Sequence, residues 1–142
     1  MVSTEKNLQY ATLLREAGLR ATPGRIALLT VLEKEPMPLT VYQIESKLGG
    51  IMNQVTVYRS LEALYNVKIV KRVNLEHDHA HFELSAGREH HHHAVCRSCG
   101  YIENIEIPHS AKPEQEAFKQ TKRFSMLDSY SLEFFGLCKK CV

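Results

Sequence analysis

Four cysteines stand in this chain as two matched Cys-x-x-Cys pairs, Cys96 with Cys99 and Cys138 with Cys141. Zinc prefers four thiolates in a tetrahedron, at about 2.3 Å. One Cys-x-x-Cys turn presents two sulfurs to an ion, and a second pair completes the shell. The pattern predicts one closed structural Zn²⁺ site built from Cys96, Cys99, Cys138 and Cys141. Two disulfides would need an oxidising compartment, and the opening residues, Met1 to Lys6, carry no apolar signal core. A thioredoxin-like redox pair would open a helix, whereas Gly100-Tyr101-Ile102 after Cys99 reads as strand.

Directly before the first pair come His90, His91, His92 and His93, and upstream of them His77, His79, His81 and Glu83 alternate. Residues two apart in a strand share a face. That places His79, His81 and Glu83 on one side, with Phe82 and Leu84 on the other and His77 in a turn. The same rule pairs His91 with His93 on one face and His90 with His92 on the opposite one. Several imidazoles with one carboxylate suit a first-row divalent metal. The residues point to a regulatory site of Glu83, His91 and His93 with His79 or His81, and His90 and His92 could serve an auxiliary one. A metal hydrolase is disfavoured: no His-Glu-x-x-His motif is present, and no general base stands beside an open zinc position.

The elements that must position these ligands divide the chain by charge. Residues 1–75 hold 10 Lys and Arg against 6 Asp and Glu, whereas residues 76–142 hold 8 against 10 and contain all 8 histidines. A basic half without histidine followed by an acidic half rich in ligands suggests nucleic-acid binding first and metal sensing second. No apolar run approaches the roughly 20 residues of a membrane span. The expected location is the cytoplasm.

Leu8, Ala11, Leu14 and Ala17 mark a first helix over 7–17, stopped by Gly18. Thr22-Pro23 opens a second, with Ile26, Leu29, Val31 and Leu32 as its apolar face. Thr40 and Gln43 form a capping box for a third, with Ile44 and Leu48 inward and Gly49-Gly50 as its stop. Asn53 caps a fourth, residues 54–64, with Val57, Leu61 and Leu64 buried. Its Gln54, Thr56, Tyr58 and Arg59 lie where a recognition helix carries its base- and phosphate-reading side chains. Strands over 67–73 and 79–84 would form a basic wing turning at residues 75–78. Beyond the histidines come a strand over 102–107, a helix opened by Pro113 with Ala117, Phe118 and Thr121 inward, and a last strand in which Tyr130, Leu132 and Phe134 alternate. The expected fold is α+β. An N-terminal winged helix-turn-helix domain (residues 1–84, hinge and wing at about 67–84) precedes a small α/β dimerisation and metal-binding domain (residues 85–142) carrying the structural zinc. So small a domain gains from zinc and from dimerisation through a sheet edge.

Four stretches together resemble the ferric uptake regulator (Fur) superfamily over essentially the whole chain: Gly18 to Arg25, Thr56 to Leu61, His90 to Gly100, and the terminal Cys-x-x-Cys. The resemblance implies a homodimeric, metal-dependent repressor of metal-homeostasis genes, with a structural zinc and a sensing metal near the hinge. It implies double-stranded DNA as partner, a palindromic AT-rich operator, with no membrane or small organic ligand. Tyr58 and Arg59 carry over as DNA contacts, and Arg20, Arg25, Gln54 and Thr56 join them. Glu83, His91 and His93 carry over as sensing ligands. The family's histidine before helix 3 is missing from Glu35-Pro36-Met37-Pro38, Asn104 stands where peroxide sensors have an acid, and Tyr130 stands where an auxiliary histidine is frequent. The high imidazole share leans the regulatory metal to Zn²⁺. Fe²⁺, Mn²⁺ or Ni²⁺ uptake regulation and peroxide response are the alternatives within the superfamily, and metal buffering is the alternative outside it.

Overall fold

Ser3 starts the first helix, its side chain accepting from the Lys6 amide, and α1 runs Thr4–Glu16. The computed structural model describes residues 3–76, 79–86, 91–107, 112–127 and 130–142. The chain forms two compact units, Met1–Glu89 and His90–Val142.

In the first unit every expected N-cap does its work. The Thr22 hydroxyl accepts from the Arg25 amide at the head of α2 (Pro23–Lys34). Thr40 and Gln43 complete their reciprocal box at the head of α3 (Val41–Leu48). The Asn53 side chain accepts from the Thr56 amide and opens α4 (Gln54–Asn66). Gly49, at φ +59, ends α3 in the left-handed conformation that glycine adopts without a Cβ penalty. The helices close over one core in which Leu14, Leu28, Leu29, Ile44, Val57, Leu61 and Leu64 are all 0% exposed.

Against this core lies a three-stranded antiparallel sheet in the order β1-β3-β2, formed by Leu39–Thr40, His81–Leu84 and Val70–Val73. Three helices, a fourth with an outward face, and this hairpin make a winged helix. Strand β1 is absent from the sequence reading because it is only two residues long and its second, Thr40, is the cap of α3. The expected strand over 67–73 shrinks to Val70–Val73, because residues 67–69 finish α4. Lys68 takes φ 64, its amide donates to the Tyr65 carbonyl, and the Ile69 amide donates to Leu64. This is a Schellman turn with lysine in the position glycine usually holds. The expected turn at 75–78 falls partly on His77 and Asp78, outside the described residues.

Two apolar stripes are corrected. Leu8 is 63% exposed, and Tyr10 takes the inward place with its hydroxyl donating to Glu33. In α2 Ile26 and Val31 are only half-buried, while Leu28 is fully buried. The unbroken run Ile26-Ala27-Leu28-Leu29 leaves the inward face undefined until α3 packs.

The second unit is a three-stranded sheet in the order β5-β4-β6, with β4 (His92–Cys96) at its centre. β5 (Ile102–Ile105) pairs with it antiparallel and β6 (Glu133–Gly136) parallel. The helix α5 (Pro113–Gln120) buries no residue, and Ala117, Phe118 and Thr121, expected to face inward, are exposed or half-exposed. Among the described residues, no side chain of this helix is buried.

Replacing Leu61 by alanine removes atoms from the centre of the first core and leaves a cavity. The variant is expected to lose about 2–5 kcal/mol of stability in urea unfolding. A loss below about 1 kcal/mol would show that the core repacks around that position.

Candidate functional site

β4 ends at Cys96, and the chain then turns tightly. The Gly100 amide donates to the Cys96 carbonyl at 2.9 Å, with Gly100 at φ +77. A matching turn closes the chain, the Cys141 amide donating to the Cys138 carbonyl at 2.9 Å. The Arg97 amide donates to the Gly136 carbonyl at 2.8 Å and ties one knuckle to the strand that leads into the other. As a result the four sulfurs of Cys96, Cys99, Cys138 and Cys141 lie within 4.8 Å of one another. Cys99 and Cys138 approach to 3.7 Å between Sγ atoms. A disulfide would hold them near 2.0 Å, while a regular tetrahedron of sulfurs 2.3 Å from zinc has edges of about 3.8 Å.

Protonation tells the same story. The Cys138 amide, 3.3 Å from the Cys96 sulfur, and the Cys99 amide draw the Cys96 thiol down to about 6. At Cys141 the Ser98 side chain pulls downward, but the sulfurs of Cys138 and Cys99, with burial, push harder, up to about 12. Four adjacent sulfurs cannot all ionise against each other's charge. A divalent cation removes that conflict and takes the protons' place, so the donor set fits zinc.

The histidines of β4 divide as their alternation predicts. The rings of His91 and His93 meet edge-on with centroids 5.0 Å apart. His93 is 0% exposed. Its backbone amide and its Nδ1 both bond the same Glu133 carboxylate oxygen, at 2.9 and 3.0 Å. His92 turns to the other face, where its Nδ1 bonds the Leu132 carbonyl at 3.0 Å and its ring lies 5.9 Å from that of Tyr130. His90, named with it for an auxiliary site, lies outside the described residues.

In the first unit Glu83 is 1% exposed on β3, and the Lys71 ammonium lies 2.8 Å from its carboxylate. His81, two residues earlier on the same strand, is 7% exposed and donates from Nδ1 to the His79 carbonyl. All four residues of β3 are buried, because the strand is the centre of its sheet. The alternation rule therefore holds for His81 and Glu83 but not for His79. That residue precedes the strand and is exposed, its ring edge-on to Tyr42 at 6.3 Å.

The outward face of α4 carries exposed Thr56, Tyr58 and Arg59, and half-buried Gln54. Gln54, Tyr58 and Arg59 line an open hollow with Val55 and Glu62. Arg20 is exposed, and Arg25 is half-buried with its guanidinium donating to the Arg20 carbonyl.

The model of the ferric uptake regulator family matches residues 16–135 of the chain. The chain belongs to this family. It is 35% identical over 132 residues to the ferric uptake regulation protein of Legionella pneumophila, covering 90% of this chain and 95% of that one. It is 29% identical over 131 residues to the peroxide-responsive repressor PerR of Staphylococcus aureus, covering 90% and 86%. Among solved structures, the ferric uptake regulator from Francisella tularensis with iron superimposes with a TM-score of 0.68 at 30% identity, over 87% of this chain and 95% of that one. As a member of the family the chain is a metal-responsive, DNA-binding regulator of transcription, and the family's proteins are regulators rather than enzymes. No helix among the described residues is long and apolar enough to cross a membrane.

Two residues at these sites are absent from the sequence reading. Lys71 reads as one more wing cation until its register opposite Glu83 is known. Glu133 sits between the apolar residues of the last strand, and only the parallel pairing of β6 with β4 sets it beside His93.

A Cys138→Ser variant is expected to lose tightly held zinc and to lower the calorimetric melting of the protein by roughly 10 °C or more. Unchanged zinc content after chelation, with unchanged melting, would exclude Cys138 from the site.

Proposed function

We propose that the chain represses metal-homeostasis genes as a homodimer on a palindromic, AT-rich operator, its DNA affinity set by one divalent regulatory metal per chain. The first unit is the DNA-binding domain, read through Gln54, Thr56, Tyr58 and Arg59 of α4 with Arg20 and Arg25 nearby. The second is the dimerisation domain, held by a structural zinc on Cys96, Cys99, Cys138 and Cys141. The observation that carries this reading is the family match over residues 16–135, which takes in parts of both units. Exposed apolar side chains in the second unit support dimerisation, among them Tyr101, Phe118, Leu132 and Phe134.

The regulatory metal is held by Glu83, His91 and His93 with a wing histidine. His81 is the better candidate than His79, since it shares a strand and a face with Glu83. Its Nδ1–H bond to a carbonyl leaves Nε2 as the nitrogen that carries a lone pair. His92, bonded to Leu132 and facing Tyr130, offers a weaker auxiliary site with His90. The metal supplies a positive charge that these donors share. Ligation of the metal would favour a form in which the two α4 helices of a dimer meet successive major grooves. Glu83 would then exchange the Lys71 ammonium for the metal. Metal and DNA favour the same form, and each tightens the other's binding by the same factor.

Fe²⁺ is the first reading for this metal, because the relatives at 29–35% identity are named for iron uptake and peroxide response. The mixture of carboxylate and imidazole donors is compatible with iron. Zn²⁺ is the second reading, favoured by the imidazole share of the donor set.

Fluorescence anisotropy on a palindromic AT-rich duplex, titrated anaerobically with Fe²⁺, Zn²⁺, Mn²⁺ and Ni²⁺, tests the assignment. One of these metals should raise DNA affinity at least tenfold, and Glu83→Ala and His91→Ala should each abolish most of that gain while metal-free binding stays the same. A wild-type metal response in either variant would remove that residue from the site.

A further inference from the structure

His93 occupies the central strand of the second unit, at the row where β4 faces Asn104 on one side and Glu133 on the other. Partners in register show their side chains on the same face of a sheet. Of the two neighbours, Glu133 makes the polar contact described above. One oxygen of its carboxylate receives both the amide and Nδ1 of His93. The glutamate side chain is only 12% exposed and the histidine 0%, so the bond is shielded from competing water.

A carboxylate accepts hydrogen bonds and donates none. Nδ1 must therefore carry a proton in this arrangement, and in the neutral ring Nε2 then holds the lone pair. A second bond, from the backbone amide to the same oxygen, locks the carboxylate to the strand as well as to the ring. The imidazole is fixed in both tautomer and orientation before any ligand arrives. A glutamate whose only task was to cap the edge of β6 would not need a partner with no solvent exposure.

We propose that Glu133 is a positioning residue for regulatory metal binding: it holds His93 as the Nδ1–H tautomer and so presents Nε2 as the ligand atom. The carboxylate also raises the basicity of the ring, which strengthens a metal bond at the far nitrogen. This inference rests on the reading that His93 is a regulatory ligand, but the tautomer it sets is a property of the metal-free protein.

Two measurements on the full chain, zinc-loaded at the cysteines, separate the possibilities. Long-range ¹H–¹⁵N correlation spectra of the metal-free regulatory site should show His93 protonated at Nδ1 in the wild type. They should show a shift toward the Nε2–H form in Glu133→Ala. In Glu133→Gln the amide oxygen can still accept, so the Nδ1–H form should persist. Competition titration with Fe²⁺ and with Zn²⁺ should show affinity reduced about 10- to 100-fold in Glu133→Ala, less in Glu133→Gln, and strongly in His93→Ala. An unchanged tautomer in Glu133→Ala would overturn the inference. So would unchanged metal affinity in Glu133→Ala beside a large loss in His93→Ala. If His93→Ala itself binds metal as the wild type does, the ligand assignment fails and the inference falls with it, even where the tautomer shift is seen. If Glu133→Ala does not fold, Glu133→Gln decides: wild-type metal affinity in that variant would overturn the proposal, and weakened binding would support it.

Discussion

Four sulfur atoms crowded within 4.8 Å are the constraint on which the second unit depends. Among the described residues of that unit, only His92, His93, Val95 and Cys96 are buried, and two of those are polar. A unit of this size with so few apolar side chains inside cannot hold itself by burial alone. The first unit is the contrast, with its helices closing over a continuous cluster of leucine, isoleucine and valine. One half of the chain is therefore held by hydrophobic burial, and the other is organised around the four sulfurs of its two knuckles. The amides around Cys96 draw its thiol down, whereas the neighbouring sulfurs and burial push Cys141 up.

β4 connects that constraint to His93. Its last residue is a zinc-type thiolate, and Val95 and Ala94 separate this from His93, whose ring is anchored to Glu133. The structural site fixes the end of the strand, the strand fixes the row occupied by His93, and the neighbouring strand β6 brings both Glu133 and the second cysteine pair. The cysteine cluster and the His93–Glu133 pair thus share strands β4 and β6.

Local chemistry was legible in the sequence, and cross-strand partners were not. Thr22, Thr40 and Asn53 announced their caps because each is a short polar residue placed three positions before the amide it bonds. The paired Cys-x-x-Cys announced its cluster by spacing. What failed was whatever depended on a neighbour. The wing strand is shorter than its β-rich run because Lys68, at φ 64, ends α4 in the position that glycine usually holds. His79 was grouped with His81 and Glu83 because alternation is blind to where a strand begins. The apolar spacing of Ala117 and Phe118 implies an inward face, yet no residue of this helix is buried among the described residues. Glu133 could not be seen at all, since about forty residues separate it from the ring it holds.

The most direct test of the account is the local structure around the zinc that survives chelation in purified protein, measured by X-ray absorption at the zinc edge. The account predicts a shell of four sulfurs at about 2.3 Å with no nitrogen or oxygen, unchanged when the regulatory metal is added. A mixed shell with nitrogen near about 2.0 Å would contradict it, because the retained zinc would then lie among the histidines and the division between a structural and a regulatory site would be lost.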